Sequence, residues 1–151
     1  MPIARKPAVH LVLDTNTVIS GLLWHGTPGK LIEAAQAKSI SLYTSAPLLA
    51  ELHGVLTRRK FARQLEARAL NIAQVFDGYA ALATIVTPAI IAPAVPNDLT
   101  DDAVLACALA AQAELIVSGD AHLLNLGAYQ GIPIVTAART LRNIEEHKHR
   151  S

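Results

Sequence analysis

Short aliphatic runs punctuate the chain, each about the length of one buried strand, and most of the stretches between them repeat their apolar residues at helical spacing. The runs cover residues 9–13 (VHLVL), 40–44 (ISLYT), 84–86, 114–118 (ELIVS) and 132–136. Neighbouring parallel strands need a crossover, usually a helix, so this alternation predicts a parallel sheet covered by helices. The clearest helix lies over residues 46–57, where Leu48, Leu49, Leu52, Val55 and Leu56 recur at i, i+1, i+4, i+7 and i+8. Ser45 is placed to cap it, with Pro47 in the first turn. Further helices are expected over 29–38, over 62–83 as one or two, and from Thr100, as candidate N-cap, to about Gln112. Residues 87–97 carry three prolines and are expected to be irregular or extended.

A chain of 151 residues that is 52% hydrophobic can bury one sizeable core, and neither an internal repeat nor a low-complexity tract divides it. We expect a single domain over 1–151, with its core at about 9–143 and a solvated or disordered tail over 144–151. Aromatic residues are 4% of the total, which argues against an aromatic platform for stacking single-stranded nucleic acid. The net charge of +1 provides no globally basic surface, so any charge that attracts nucleic acid must be local. One cluster qualifies, Arg58, Arg59, Lys60 and Arg63, although such a run can equally be a solvated helix junction. Cys107 is the only cysteine and reads as a small core residue. The basic head before Asp14 lacks the pattern of a secretory signal, and no apolar run approaches the roughly 18 residues of a membrane span, so a cytoplasmic location is expected.

Acidic residues then stand where burial should exclude them. Asp14 closes the first strand run, Asp120 follows the fourth, Glu51 flanks the apolar stripe of the 46–57 helix, and Asp102 opens the helix after the prolines. In open parallel sheets ligands bind at the carboxyl ends of the strands, and those ends are where Asp14 and Asp120 fall. Carboxylates about 4 Å apart repel by roughly 4 kcal/mol per pair at a surface-like dielectric, so a cation or bound protons must offset the cluster. Oxygen ligands of this kind suit Mg²⁺ or Mn²⁺. Acids in a helical first turn also have a plainer reason to be there, the positive helix terminus, and this applies to both Asp101 and Asp102. Asp98 reads most simply as a loop residue. Of the six histidines, only His122 falls near the acids.

Each motif alone is common, but their order is informative: LVLDTN (11–16), SAPLLAEL (45–52), TDDAVLACA (100–108), LIVSGDAHLL (115–124). The series resembles the PIN-domain ribonuclease family, in particular the small bacterial members that include VapC-like toxins of type II toxin-antitoxin systems. The resemblance implies a three-layer α/β/α fold around a five-stranded parallel sheet, and hydrolysis of RNA phosphodiesters dependent on Mg²⁺ or Mn²⁺. The family's acids fall on Asp14, Glu51, Asp102 and Asp120, which would be catalytic and hold metal. Asp102 is chosen because Asp102-Ala103-Val104-Leu105 matches the family's helix start, with the adjacent Asp101 leaving the register open. Asn16, Ser118 and Asp101 would support these ligands, and Arg58, Arg59, Lys60 and Arg63 would bind RNA. The resemblance further implies a cognate antitoxin protein and a homodimer. On this register, metal should raise the melting temperature and Asp102→Asn should raise metal-free stability.

Two rivals compete. Asp14-Thr15-Asn16-Thr17-Val18 echoes the strand-end signature of haloacid-dehalogenase-like phosphatases, but Asn16 stands where that chemistry needs a second acid. A PIN-like module that binds without cleaving is the other, and retention of four mutually repelling acids argues against it.

Overall fold

The sheet is assembled outward from β1 (Val9–Leu13), which pairs in parallel with β2 (Ile40–Thr44) on one side and β4 (Leu115–Val117) on the other. This computed structural model describes residues 9–24, 26–95 and 98–149. The basic head up to residue 8, the end of the proline segment at 96–97 and the last two residues of the expected tail lie outside the described residues. The short β3 (Thr84–Ile85) adds in parallel to β2, and β6 (Ile132–Val135) in parallel to β4. The five parallel strands therefore fall where the aliphatic runs predict them.

A sixth strand, β5 (Ala128–Tyr129), runs antiparallel to β6 and completes the order β3-β2-β1-β4-β6-β5. Gln130 and Gly131 join the two with φ of 46° and 83°. Positive φ at both central residues is what a tight hairpin turn requires to match strand twist. Two residues are too short a run to be read as a strand from sequence.

Side chains alternate across the sheet, and this divides the interior in two. Leu11 and Leu13 face one side, among Ile40, Leu42, Val117 and the inner faces of α1 (Thr15–Leu23), α2 (Thr27–Gln36), α3 (Ala46–Leu56) and α5 (Ile72–Leu82). Val12 faces the other, with Ile116, Ile134 and the residues Val104, Leu105, Cys107 and Ala108 of α6 (Leu99–Ala111). Burying each such Leu, Ile or Val contributes about 1.5–3 kcal/mol, so β1, whose Leu11, Val12 and Leu13 are buried on both faces, anchors the three layers. Between α1 and α2 the approach is close: a Cβ on Gly21 would lie 3.0 Å from the Pro28 carbonyl oxygen and from Ile32.

The segment over 62–83 is two helices, α4 (Arg59–Ala67) and α5. They are separated by Ala69 at φ 56°, and Asn71 and Gln74 form a reciprocal capping box that restarts the chain. After β4 the chain forms α7 (Ala121–Leu126), then the β5–β6 hairpin, then α8 (Ala137–His149), which extends helical structure into the expected tail. The cap of α6 also differs from expectation: Asp98, not Thr100, accepts the N–H of Asp101 at 2.9 Å. Among the described residues no helix is long and apolar enough to cross a membrane.

Candidate functional site

From β1 the chain builds β2 and β3 on one side and later β4 and β6 on the other, so the order reverses between β1 and β4. Helices leave those two strands in opposite directions, and a crevice opens at their carboxyl ends. Asp14 and Asp120 stand on its two lips.

Asp14 is 5% exposed, and its backbone N–H donates to the Val117 carbonyl at 3.0 Å, locking the end of β1 to the end of β4. Its Oδ1 caps α1 by accepting from the Thr17 N–H at 2.8 Å, and its Oδ2 accepts from the Ser118 hydroxyl. Ser118, itself buried, also accepts at Oγ from the Asp120 N–H at 2.9 Å. One serine thus sets the positions of both strand-end acids. Asp120 caps α7, its Oδ1 accepting from His122 N–H at 2.7 Å and Leu123 N–H at 3.2 Å.

Glu51 reaches the same crevice from α3, where the Ser45 cap fixes the start of the helix and Leu48, Leu49 and Leu52 orient it. Thr15 donates its hydroxyl to Glu51 Oε2 at 2.8 Å. Partial burial pushes the Glu51 carboxyl up; the Thr15 hydrogen bond opposes this, the charges of Asp14 and Asp98 add to it, and Arg58 counters them.

Neighbouring acids on α6 part company. Successive helical residues point about 100° apart, so Asp101 and Asp102 cannot face the same neighbour. Asp101 lines the crevice and is 6% exposed, and its Oδ2 is buried with no hydrogen-bond partner among the described residues. Burial, followed by the charges of Asp120, Asp98 and Asp14, pushes its carboxyl up to about 7. Asp102 instead turns into the protein, where its Oδ1 accepts from the backbone N–H groups of Ala94 at 3.0 Å and Val95 at 2.9 Å. It fastens the end of the proline-containing segment to α6. The expected placement of Asp102 among the clustered acids is therefore corrected to Asp101: the Asp102 carboxylate satisfies two backbone donors and does not line the cleft, so the repulsion on which the expected gain in stability of Asp102→Asn rested is not what it meets.

Together Asp14, Glu51, Asp98, Asp101 and Asp120 line a cleft of about 210 Å³, with Thr15, Asn16 and Thr100 among the other residues of its wall. Five carboxylates meet there, and among the described residues neither lysine nor arginine lines the space. Hard oxygen donors around a buried, unpartnered carboxylate oxygen fit a divalent cation, which would satisfy Asp101 Oδ2 and offset the mutual repulsion. Asn16 is exposed at the cleft's rim. Arg58, Arg59, Lys60 and Arg63 are exposed around the start of α4 and none of them lines the cleft; Arg58 alone makes itself felt there, through its charge on Glu51. Cys107 is buried in the core and its thiol is pushed up to about 11 by burial, which leaves it no nucleophilic character at neutral pH.

Two contributors escape the sequence reading. Asp98 had a usable signal, since Asp-Leu-Thr-Asp just before an apolar helical run is an N-cap spacing. Thr15 had none: its bond to Glu51 spans 36 positions and exists only once α1 and α3 pack side by side.

A family model described as "PIN domain" matches residues 10–122. The fold is similar to that in the crystal structure of VapBC2 from Rickettsia felis bound to a DNA fragment from their promoter, with 16% identity and a TM-score of 0.56 over 83% of this chain and 97% of that one. A comparison with curated proteins gives no match.

Proposed function

Starting from the fact that this chain belongs to the PIN-domain family, we propose that it is an endoribonuclease dependent on Mg²⁺ or Mn²⁺ and the toxin of a toxin-antitoxin pair. The observation that carries this reading is Asp101, a buried carboxylate whose Oδ2 has no partner among the described residues, set with four other acids in a cleft that no described lysine or arginine lines. Such a group is costly to a protein that leaves it bare. The matched family displaces the phosphatase alternative, which Asn16 already disfavoured.

In this proposal Asp14, Glu51, Asp101 and Asp120 hold the metal, with Asp101 in the role first assigned to Asp102. Held by these carboxylates, a divalent cation would supply charge neutralisation at the phosphate and would lower the pKa of a bound water. The remaining residues organise that centre. Ser118 fixes Asp14 and Asp120 relative to each other, and Thr15 keeps Glu51 turned into the cleft and favours its ionised form. Asn16 offers an amide at the rim to orient a phosphate oxygen, and Arg58, Arg59, Lys60 and Arg63 draw the RNA backbone toward the acids. A cognate antitoxin protein, a homodimer and a cytoplasmic location belong to the same reading, supported by family membership and by the likeness to the VapBC2 structure.

The test is cleavage of a labelled single-stranded RNA by wild type and Asp14→Asn in Mg²⁺, in Mn²⁺ and in EDTA. Cleavage by the wild type alone, abolished by EDTA, is expected. Equal cleavage by both proteins, or cleavage that survives EDTA, would refute it. Growth arrest on expression of the wild type but not of Asp14→Asn is the corresponding test of toxicity.

A further inference from the structure

His122 is exposed on the rim of the cleft, yet its position is not left to chance. Its own N–H and that of Leu123 are held by Asp120 Oδ1, and Leu123 is fully buried, so the first turn of α7 is pinned to the core. The imidazole consequently stands over the α6 side of the cleft. One carboxylate oxygen each of Asp98 and Asp101 and a ring nitrogen of His122 all lie within 4.8 Å of one another. Ligands bound to one ion at about 2.0–2.2 Å stand roughly 3–4.4 Å apart, so small side-chain rotations bring these three donors onto a common centre. Asp101 contributes the independent sign that points to a ligand, since it is more than nine-tenths buried and its Oδ2 has no partner among the described residues.

We propose that Asp98, Asp101 and His122 form a mixed oxygen and nitrogen subsite for a divalent transition-metal ion at the α6–α7 rim of the cleft. The subsite deepens the nuclease reading, with which it shares Asp101. Its chemical consequence is selectivity. An all-carboxylate cleft suits Mg²⁺ and Mn²⁺ alike, whereas an imidazole donor adds affinity for transition ions and little for Mg²⁺. The alternative is that His122 only forms an ion pair with Asp120, from whose Oδ1 its Nδ1 lies 3.8 Å; that pair would be solvent-screened and would need no metal.

Pulsed electron paramagnetic resonance of Mn²⁺ titrated into the metal-free protein separates these possibilities, because it detects a directly bound ring nitrogen. The wild type should show ¹⁴N coupling that His122→Ala removes. Mn²⁺ affinity should fall by about tenfold or more, since even residues that merely support a ligand cost that much, while Mg²⁺ affinity stays nearly unchanged. Asp98→Asn preserves the cap of α6, because Asn caps as well as Asp, and should weaken Mn²⁺ binding with the helix intact. Bound Mn²⁺ without nitrogen coupling, or coupling that persists in His122→Ala, would overturn the subsite and leave the nuclease reading standing. Failure of Mn²⁺ to bind the wild type at all would overturn both.

Discussion

Asp101 and Asp102 are adjacent in the chain, and removing their charges should move stability in opposite directions. In the metal-free fold the Asp101 carboxyl is raised from its ordinary value of 3.8 to about 7. Each tenfold in proton affinity is worth about 1.4 kcal/mol, which sets a ceiling of about 4 kcal/mol on the cost of keeping it ionised in the fold. The cleft opens to water, and screening there reduces the net effect to about 1–2 kcal/mol. Because the folded pKa is the higher one, the stability linked to this group is fully present below about pH 4 and is lost as pH rises through about 7. Asp101→Asn, neutral throughout, should therefore be about 1–2 kcal/mol more stable than the wild type at pH 8 in EDTA and should lack that part of the wild type's decline. Asp102→Ala should instead lose stability, because it strips the acceptor from the Ala94 and Val95 N–H groups, at about 1–3 kcal/mol for the buried Val95 donor and less for the half-buried Ala94. Urea denaturation of the three proteins in EDTA, at pH 5 and pH 8, measures both effects. A destabilised Asp101→Asn at pH 8, or an Asp102→Ala as stable as the wild type, would refute the assignment of the two side chains.

Metal should stabilise the fold through the same cleft. At a hundredfold excess over its dissociation constant, Mn²⁺ should contribute about 2.7 kcal/mol. For a chain of this size that raises the melting temperature by roughly 5–10 °C, and an unchanged melting curve would remove the metal centre from consideration. Thr15→Val deletes the hydrogen bond that holds the Glu51 carboxyl down, so the acid limb of the pH–rate profile should move to higher pH; an unmoved limb would show that Glu51 does not govern it. Gly21→Ala places a methyl group 3.0 Å from the Pro28 carbonyl oxygen and should cost about 1–3 kcal/mol by denaturant titration, whereas no loss would mean that α1 and α2 can separate freely.

The parallel sheet was legible because its central strands β1 and β4 are largely buried on both faces and so appear as nearly continuous aliphatic runs, of which Leu11, Val12 and Leu13 are the clearest. Asp14 and Asp120 were legible for a related reason, since an acid at the end of such a run has to emerge at the sheet edge. The β5–β6 hairpin was not, because two residues carry no period and only the Gln130-Gly131 turn marks it. Asp98 was legible as a helix cap from its spacing to Asp101, whereas Thr15 became part of the cleft through a contact between α1 and α3, which local spacing does not encode.

The choice between Asp101 and Asp102 marks where sequence stops and tertiary structure begins. By itself the sequence determined that the chain alternates strands with helices, that strand ends carry acids, and that two more acids open a helix near them. Period and polarity are local properties, and they suffice for that. Which of two adjacent carboxylates enters the cleft depends on the rotation of α6 about its own axis, and that rotation is set by Val104, Leu105, Cys107 and Ala108 packing against Val12, Ile116 and Ile134. A 100° step separates a carboxylate in the cleft from a backbone anchor, and only the packed core decides on which side of that step each aspartate falls.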